Sequence, residues 1–270
     1  MRVWRLLLGL GCACGAVNHD MAIDAPGSDA SGPDAQTCVP TPANLAARWS
    51  GEHNTNDDKG LFNGTAHGQL AYTQGRFGSA FMLDGTTAYI TADNSDVLWP
   101  TGSFSIAAWV KAASITATSY VLVKYGGGGS TATDGNDYEL GVNMSGNPVF
   151  NFRVNGSPTG SITLTATTVD VVDARWHYLV AARDNAAMEL RLYIDGVRTV
   201  SKAIAGADLG AMGNVDNAPD PVTISGYFRP GMDAIAGMFA GAIDNVEYFT
   251  AALSDGEITA IYAALDGECQ

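Results

Sequence analysis

"RWHYLVAARDNAAMELRLYIDGV", residues 175–197, decides the fold class. Its first half puts Trp176, Tyr178, Val180 and Ala182 on one side of an extended chain. Its second half does the same with Leu190, Leu192 and Ile194. Alternation with a period of two marks strands that turn one face to a core. Asp195-Gly196 follows directly, a two-residue hairpin signal between apolar runs.

The pattern recurs outward from this segment. In "SFSIAAWVK" (103–111), Phe104, Ile106, Ala108 and Val110 share a face. In "PVFNFRV" (148–154), Phe150, Phe152 and Val154 oppose Asn151 and Arg153. A second Asp-Gly, at 84–85 in "FMLDGTTAYIT" (81–91), predicts another hairpin. No repeat of 20–50 residues is present. The spacing of many short strands predicts an all-β, two-sheet antiparallel sandwich of jelly-roll type over residues 38–270. One segment departs from it. In "LSDGEITAIYAAL" (253–265), Ser254 and Glu257 form a capping-box pattern, and Ile258, Ile261, Tyr262 and Leu265 share a helical face. A short C-terminal helix packed on the sandwich is expected.

Composition agrees. Gly is 32 of 270 residues, above the usual share of roughly 7%. The net charge is −14, with only 14 Lys and Arg. Nucleic acid and anionic membrane surfaces attract basic patches, so neither is an expected partner. Acidity of this kind favours solubility and cation binding.

The N-terminus reads as a processing segment. "MRVWR" is basic, and "LLLGLGCACGAV" is an apolar run of 12 residues, too short to span a bilayer. Residues 1–14 fit a secretory signal. They also resemble a bacterial lipoprotein signal, because Gly11-Cys12 and Ala13-Cys14 each place a small residue before a cysteine, although the preferred upstream Leu is missing. Export is therefore expected, as a secreted protein or as an outer-membrane or cell-surface lipoprotein. Residues 15–37 are rich in Asp, Ala, Pro, Gly and Ser and lack the apolar surface that offsets ordering entropy. They read as a disordered tether. Cys38 and Cys269 then stand at the two ends of the domain, and an isolated pair in an exported chain suggests a disulfide. In the chain-entropy description so long a loop is worth about 5 kcal/mol.

Five segments in order resemble the laminin-G-like, concanavalin A-like domains of secreted bacterial proteins. They are "ARWSGEHNTNDDKGLFNGTAHGQL", "GRFGSAFMLDGTTAYIT", "SFSIAAWVK", "ARWHYLVAARDNAAMELRLYIDGV" and "FAGAIDNVEYFTAALSDGEITAIY". The resemblance implies a sandwich of two large curved sheets. It does not imply one function, since this fold hosts lectins, glycosidases, lyases and adhesion modules.

"AGAIDNVEYF" (240–249) bears on catalysis through Asp244 and Glu247. Glycoside hydrolysis uses two carboxylates flanking one bond. Enzymes resembling this chain carry E-x-D-x-E on one strand, where a spacing of two puts all three side chains on one face. Here the spacing is three. A regular strand would send Asp244 and Glu247 to opposite faces, and only a bulge would restore the phase. Neither E-x-D-x-E, G-x-S-x-G nor H-E-x-x-H occurs, and the mature chain has no C-x-x-C. "YGGGGSTATDG" (125–135) lacks the G-K-[ST] of a phosphate loop. The sequence is not that of an enzyme on these grounds.

The resemblance also implies a structural Ca²⁺ between the opening loop and the last strand. The loop "NTNDDKGLFNG" (54–64) is rich in oxygen ligands, which hard cations need in number. Asp57 and Asp244 match the family positions, with Asp58 and Asn63 assisting. For a ligand, sugar recognition needs aromatic platforms and planar hydrogen-bonding groups. Trp49, Trp109 and Trp176 match core positions. Trp99, before Pro100 in a loop, is expected to be exposed. Tyr125, Tyr227 and Arg229 lie in loops, and Arg153 and Arg191 point outward from strands. Two classes remain open: a carbohydrate-binding module for an extracellular glycan, and a structural or adhesion protein that binds a cell-surface protein. Whether the aromatic and Arg side chains converge on one groove separates them.

Overall fold

Alternation of apolar side chains builds two sheets whose facing sides interdigitate. The computed structural model describes residues 39–93, 95–100, 102–125, 137–153, 160–206, 221–228, 235–264 and 268–269. In chain order the strands are β1 (Val39–Pro40), β2 (Leu45–Trp49), β3 (Gly64–His67), β4 (Ala71–Gln74), β5 (Ser79–Asp84), β6 (Tyr89–Ala92) and β7 (Phe104–Lys111). They continue with β8 (Ser119–Tyr125), β9 (Asp137–Val142), β10 (Pro148–Arg153), β11 (Ile162–Thr165), β12 (His177–Asp184) and β13 (Glu189–Ile194). Then come β14 (Val197–Ala203), β15 (Val222–Ile224), β16 (Tyr227–Phe228), β17 (Ile235–Ala236), β18 (Ala240–Phe249), helix α1 (Asp255–Ala263) and β19 (Glu268–Cys269).

One sheet has seven strands in the order β11-β10-β9-β8-β15-β6-β3. The other runs β14-β13-β12-β7-β18-β5-β4, with β2 also paired to β18. All pairs in these two sheets are antiparallel. The core between them contains Phe104, Ile106, Ala108 and Val110 from β7, Phe150 and Phe152 from β10, and Leu190, Leu192 and Ile194 from β13. These are the faces that alternation predicts.

The face carrying Trp176, Tyr178 and Val180 behaves differently. It looks away from the partner sheet and packs with Trp109, Tyr193, Phe249, Leu253, Ile258 and Ile261 in a second core. Helix α1 is the cover. Ser254 Oγ accepts from the Glu257 N–H at 3.2 Å, and the Ser254 N–H donates to Glu257 Oε2 at 2.8 Å, so the capping box forms. Its Ile258 and Ile261 are buried. Strands β7 and β12 are therefore buried on both faces, where alternation alone predicts one.

The Asp195-Gly196 hairpin forms, both residues at positive φ (52° and 78°), with Ile194 opposite Val197. Asp84-Gly85 does not make the hairpin expected of it. Strands β5 and β6 lie in different sheets, so the chain crosses the sandwich here. The Asp84 carboxylate accepts from the N–H groups of Thr86, Thr87 and Ala88 and from the Thr87 hydroxyl, which turns the backbone into the other layer. Strands β1 and β19 pair in parallel, Pro40 opposite Cys269, and bring the two ends of the domain together. Cys38 and the Cys269 side chain lie outside the described residues, as do segments 1–14 and 15–37.

Candidate functional site

Strand β18 carries both carboxylates of its acidic segment on one face. Asp244 is opposite Trp109 and Glu247 opposite Ala107, both on the helix-covered side of β7. A bulge between them, with Asn245 at φ 45°, supplies the extra residue. The opposite-face expectation for a three-residue spacing is thus overturned. The two groups nonetheless serve separate neighbours. Glu247 accepts from Arg48 Nε at 2.8 Å and pairs with Nη2 at 2.7 Å, and the Tyr178 hydroxyl donates to its other oxygen at 3.3 Å. Asp244 accepts from the Phe77 N–H at 3.0 Å. Both carboxylates are buried.

Of the four expected calcium ligands, Asp57, Asp58 and Asn63 share the opening loop, and Asp244 lies against the 75–79 turn. Asp57, itself buried, spends its carboxylate on four backbone N–H groups: Arg48 and Lys59 on Oδ1, Leu61 and Phe62 on Oδ2. A carboxylate offers about four lone-pair sites, so Asp57 is filled by the loop it organises. Asn63 Oδ1 accepts from the Asp57 N–H and closes the same loop. Asp58 accepts from the Ser50 hydroxyl at 2.9 Å, and burial raises its pKa. Among the described residues no group of three or more His, Cys, Asp or Glu side chains is placed to hold a metal.

Asp244 fits a cation better than its three companions. Its Oδ1 is buried and has no hydrogen-bond partner. Burial pushes its pKa up to about 7; the N–H groups of Phe77, Arg76 and Asn245 oppose that and the charge of Glu52 adds to it. Glu52, which sequence reasoning missed, accepts from the Ser79 N–H at 3.0 Å. The 75–79 turn lies between these two acids. A Cβ at Gly75 would fall 2.6 Å from Asp244 Oδ2, and one at Gly78 (φ 47°) 2.1 Å from Glu52 Oε1. The available signal was Gly75 and Gly78 three apart, which allows carboxylates to approach the backbone on both sides.

The proposed ligand residues scatter. Trp99 is 2% exposed and packs in the inter-sheet core with the Lys124 ammonium 4.5 Å from its ring centroid, against the exposed position expected of it. Its loop is tied inward because Leu98 O accepts the Tyr138 hydroxyl at 3.0 Å. Arg153 projects from the outer face of the seven-stranded sheet. Arg191 projects from the outer face of the other sheet, paired with Asp184 and Glu189 at 2.8 Å each. The two arginines therefore stand on opposite sides of the sandwich. The Tyr125 side chain and Arg229 lie outside the described residues.

Tyr227 is set in an aromatic pair. Its ring meets Tyr120 edge-on, centroids 5.1 Å apart, and both are half-buried. Tyr120 is opposite Gly141, outside the core, and a Cβ at Gly237 would fall 2.6 Å from its ring. Two residues along β9 from Gly141, about 7 Å, begins a polar row. Thr65, Thr91, Thr223, Val123, Glu139, Asn151 and Thr163 are in register across all seven strands. Asn151 Nδ2 donates to Glu139 Oε2 at 3.2 Å, while its Oδ1 accepts the hydroxyls of Thr163 (3.0 Å) and Ser161. The amide is thereby oriented, and a planar acid–amide–hydroxyl edge faces outward.

The sequence pattern of the concanavalin A-like lectin/glucanases superfamily matches residues 84–259. The chain belongs to that superfamily. No curated protein matches it significantly. Among solved structures, domain 4 of AbnA, an extracellular arabinanase from Geobacillus stearothermophilus, in complex with arabinotriose, superposes with a TM-score of 0.56 at 22% identity, covering 80% of this chain and 97% of that one. The binding domain of botulinum neurotoxin serotype D/C gives 0.58 at 14% identity, covering 82% and 52%. The toxin DC binding domain in complex with SialylT gives 0.57 at 14%, covering 83% and 52%. The chain thus spans about half the length of the toxin domains. At these identities the likeness is one of fold. Among the described residues no helix is long and apolar enough to cross a membrane.

Proposed function

We propose that this protein is an exported, non-catalytic carbohydrate-binding module that holds a glycan on the outer face of its seven-stranded sheet. The observation that carries this is the Tyr120–Tyr227 pair standing beside the oriented Glu139–Asn151–Thr163 edge. An aromatic face takes the apolar side of a sugar ring, and planar polar groups fix its hydroxyls. The arabinotriose complex of the similar arabinanase domain is consistent with a glycan partner. Residues 1–14 would direct export and residues 15–37 would tether the domain, with lipid on Cys12 or Cys14 as an anchor and a Cys38–Cys269 disulfide closing it.

Pull-down of the 38–270 domain by insoluble arabinan, galactan, xyloglucan and mannan tests the proposal. Saturable capture by one polymer, lost in Tyr120→Ala and in Tyr227→Ala, supports it. Capture by none returns the weight to a protein partner.

A structural Ca²⁺ belongs to the same proposal. Asp244 and Glu52 would hold it, and carbonyl oxygens of the 75–79 turn would complete the six to eight oxygens such an ion takes. It would brace the turn against β18. Chelation should lower the melting temperature and added Ca²⁺ should restore it, since an ion at a hundredfold excess over Kd stabilises the folded state by about 2.7 kcal/mol. An unchanged melting temperature rejects the ion.

A further inference from the structure

The same sheet face carries a second aromatic pair that nothing above uses. His67 on β3 is opposite Tyr89 on β6, their rings stacked 4.4 Å apart and 8° from parallel. One step along, Thr65 is opposite Thr91, and His67 Nε2 lies 2.8 Å from Thr91 Oγ1. Thr65 is exposed, and His67, Tyr89 and Thr91 are half-buried. The group offers flat aromatic walls, a phenol hydroxyl, an imidazole and two threonine hydroxyls, the composition a sugar needs.

Register fixes its relation to the first pair. From Glu139 to Gly141 on β9 the direction along the sheet is the one that leads from Thr91 to Tyr89 on β6. Tyr120 and Tyr89 therefore stand on the same side of the polar row. Only β15 lies between their strands, so two inter-strand steps, about 10 Å, separate them. Beyond β15 the chain there is Ser225-Gly226, and Gly226 donates to Tyr120 O at 3.2 Å. At the middle of the polar row Thr223 and Val123 are buried. The exposed chemistry is thus concentrated at two stations on one face.

A purely protective role, with the stacked rings shielding edge strand β3, would bury them. Ile90 and Ala92 already close the core from the other side of β6, and the rings remain half-open.

We propose that His67, Tyr89, Thr91 and Thr65 form a second sugar-binding station. The ligand is then the interior of an extended polysaccharide chain running across the strands, rather than a single terminal sugar. This rests on the glycan-binding proposal above. Two stations on one rigid face turn the second contact into an intramolecular event, which raises polymer affinity well above that of a short oligosaccharide.

The test compares linear arabinan with arabinotriose by calorimetry, or whichever polymer the pull-down captures with its own trisaccharide. The proteins are the wild type, Tyr89→Ala, His67→Ala and Thr65→Arg. The last sits at an exposed position and blocks the station without opening the core. Melting temperatures check folding. The expected result is a loss of tenfold or more in polymer affinity, with trisaccharide affinity held within twofold. Equal loss for both ligands, or loss for neither, overturns the second station while leaving the glycan module standing. A wild type that binds no glycan at all removes the module reading itself.

Discussion

The two outer faces of the sandwich start from the same alternation and are finished in different ways. On the eight-stranded sheet the outward residues are Trp109, Tyr178, Val180 and Tyr193, and helix α1 seals them. Phe77 meets Trp109 edge-on at 5.9 Å and Tyr262 stacks on it at 5.7 Å. On the seven-stranded sheet the outward residues are hydroxyls, an amide, a carboxylate, two aromatic pairs and one valine, Val123, which is buried with Thr223 at the middle of the row; among the described residues no helix covers this face. The contrast teaches that period-two alternation locates faces but not their fate. A sheet face with large apolar side chains demands a cover, and one with threonines and an oriented amide can stand against water.

The contrast breaks most sharply under truncation. Trp109→Ala should cost about 4 kcal/mol in denaturant unfolding, because a buried aromatic is lost and a cavity remains. Tyr120→Ala should cost about 1 kcal/mol or less and abolish glycan capture instead. Similar stability losses at both positions would mean that the faces are equivalent after all.

Next in size is the ion pair at the edge of the sealed face. Glu247→Ala leaves the Arg48 guanidinium, whose side chain is 10% exposed, beside an empty position. A loss of about 3 kcal/mol is expected, as for other buried pairs missing one partner. Arg48→Met with Glu247→Leu should recover much of it. If the double variant is no better than the single, the pair is not the source of the loss.

The smallest effect is a pH response on the other side of β12, where His177 lies opposite the core-facing Val110. His177 has Asp195 at 2.8 Å from Nδ1 and Asp173 at 3.0 Å from Nε2. A neutral imidazole has one N–H and can donate to only one of them. The Asp195 hydrogen bond, then Asp173, raises its pKa above 6.5. The imidazolium is therefore favoured in the folded state. Its stabilisation is complete below pH 6.5 and is lost as pH rises through the folded value. Melting temperature should fall over that window in the wild type, and His177→Gln should flatten the decline. A parallel decline in both proteins would assign it to other groups.

Much of this fold was legible because local rules sufficed. The faces of β7, β10 and β13, the Asp195-Gly196 hairpin and the Ser254 capping box each depend on a few neighbouring residues. What escaped depended on distant partners. Asp84-Gly85 has the dipeptide of a hairpin, yet its side chain turns the chain into the other layer. Trp99 sits in a loop but is drawn into the core between the sheets. The polar row from Thr65 to Thr163 joins residues nearly a hundred positions apart, and register between strands is not written in any one of them. Glu52 was missed because its partner, the 75–79 turn, lies a full strand pair away. Of the anticipated ligand residues only Tyr227 has a described side chain set in an aromatic pair on the open face.

The bulge at Asn245 has a consequence for insertions and deletions. Strand β18 pairs with β5 over its first half and β2 over its second, and the extra residue is the phase joint between them. Deleting Asn245 would leave Asp244 and Glu247 two apart, so an ordinary strand would keep both on the helix-covered face and every residue beyond them on its present side. A residue lost inside either arm would instead shift that arm by one and turn its side chains over. The joint is thus a position at which β18 can lose a codon and still keep its two faces.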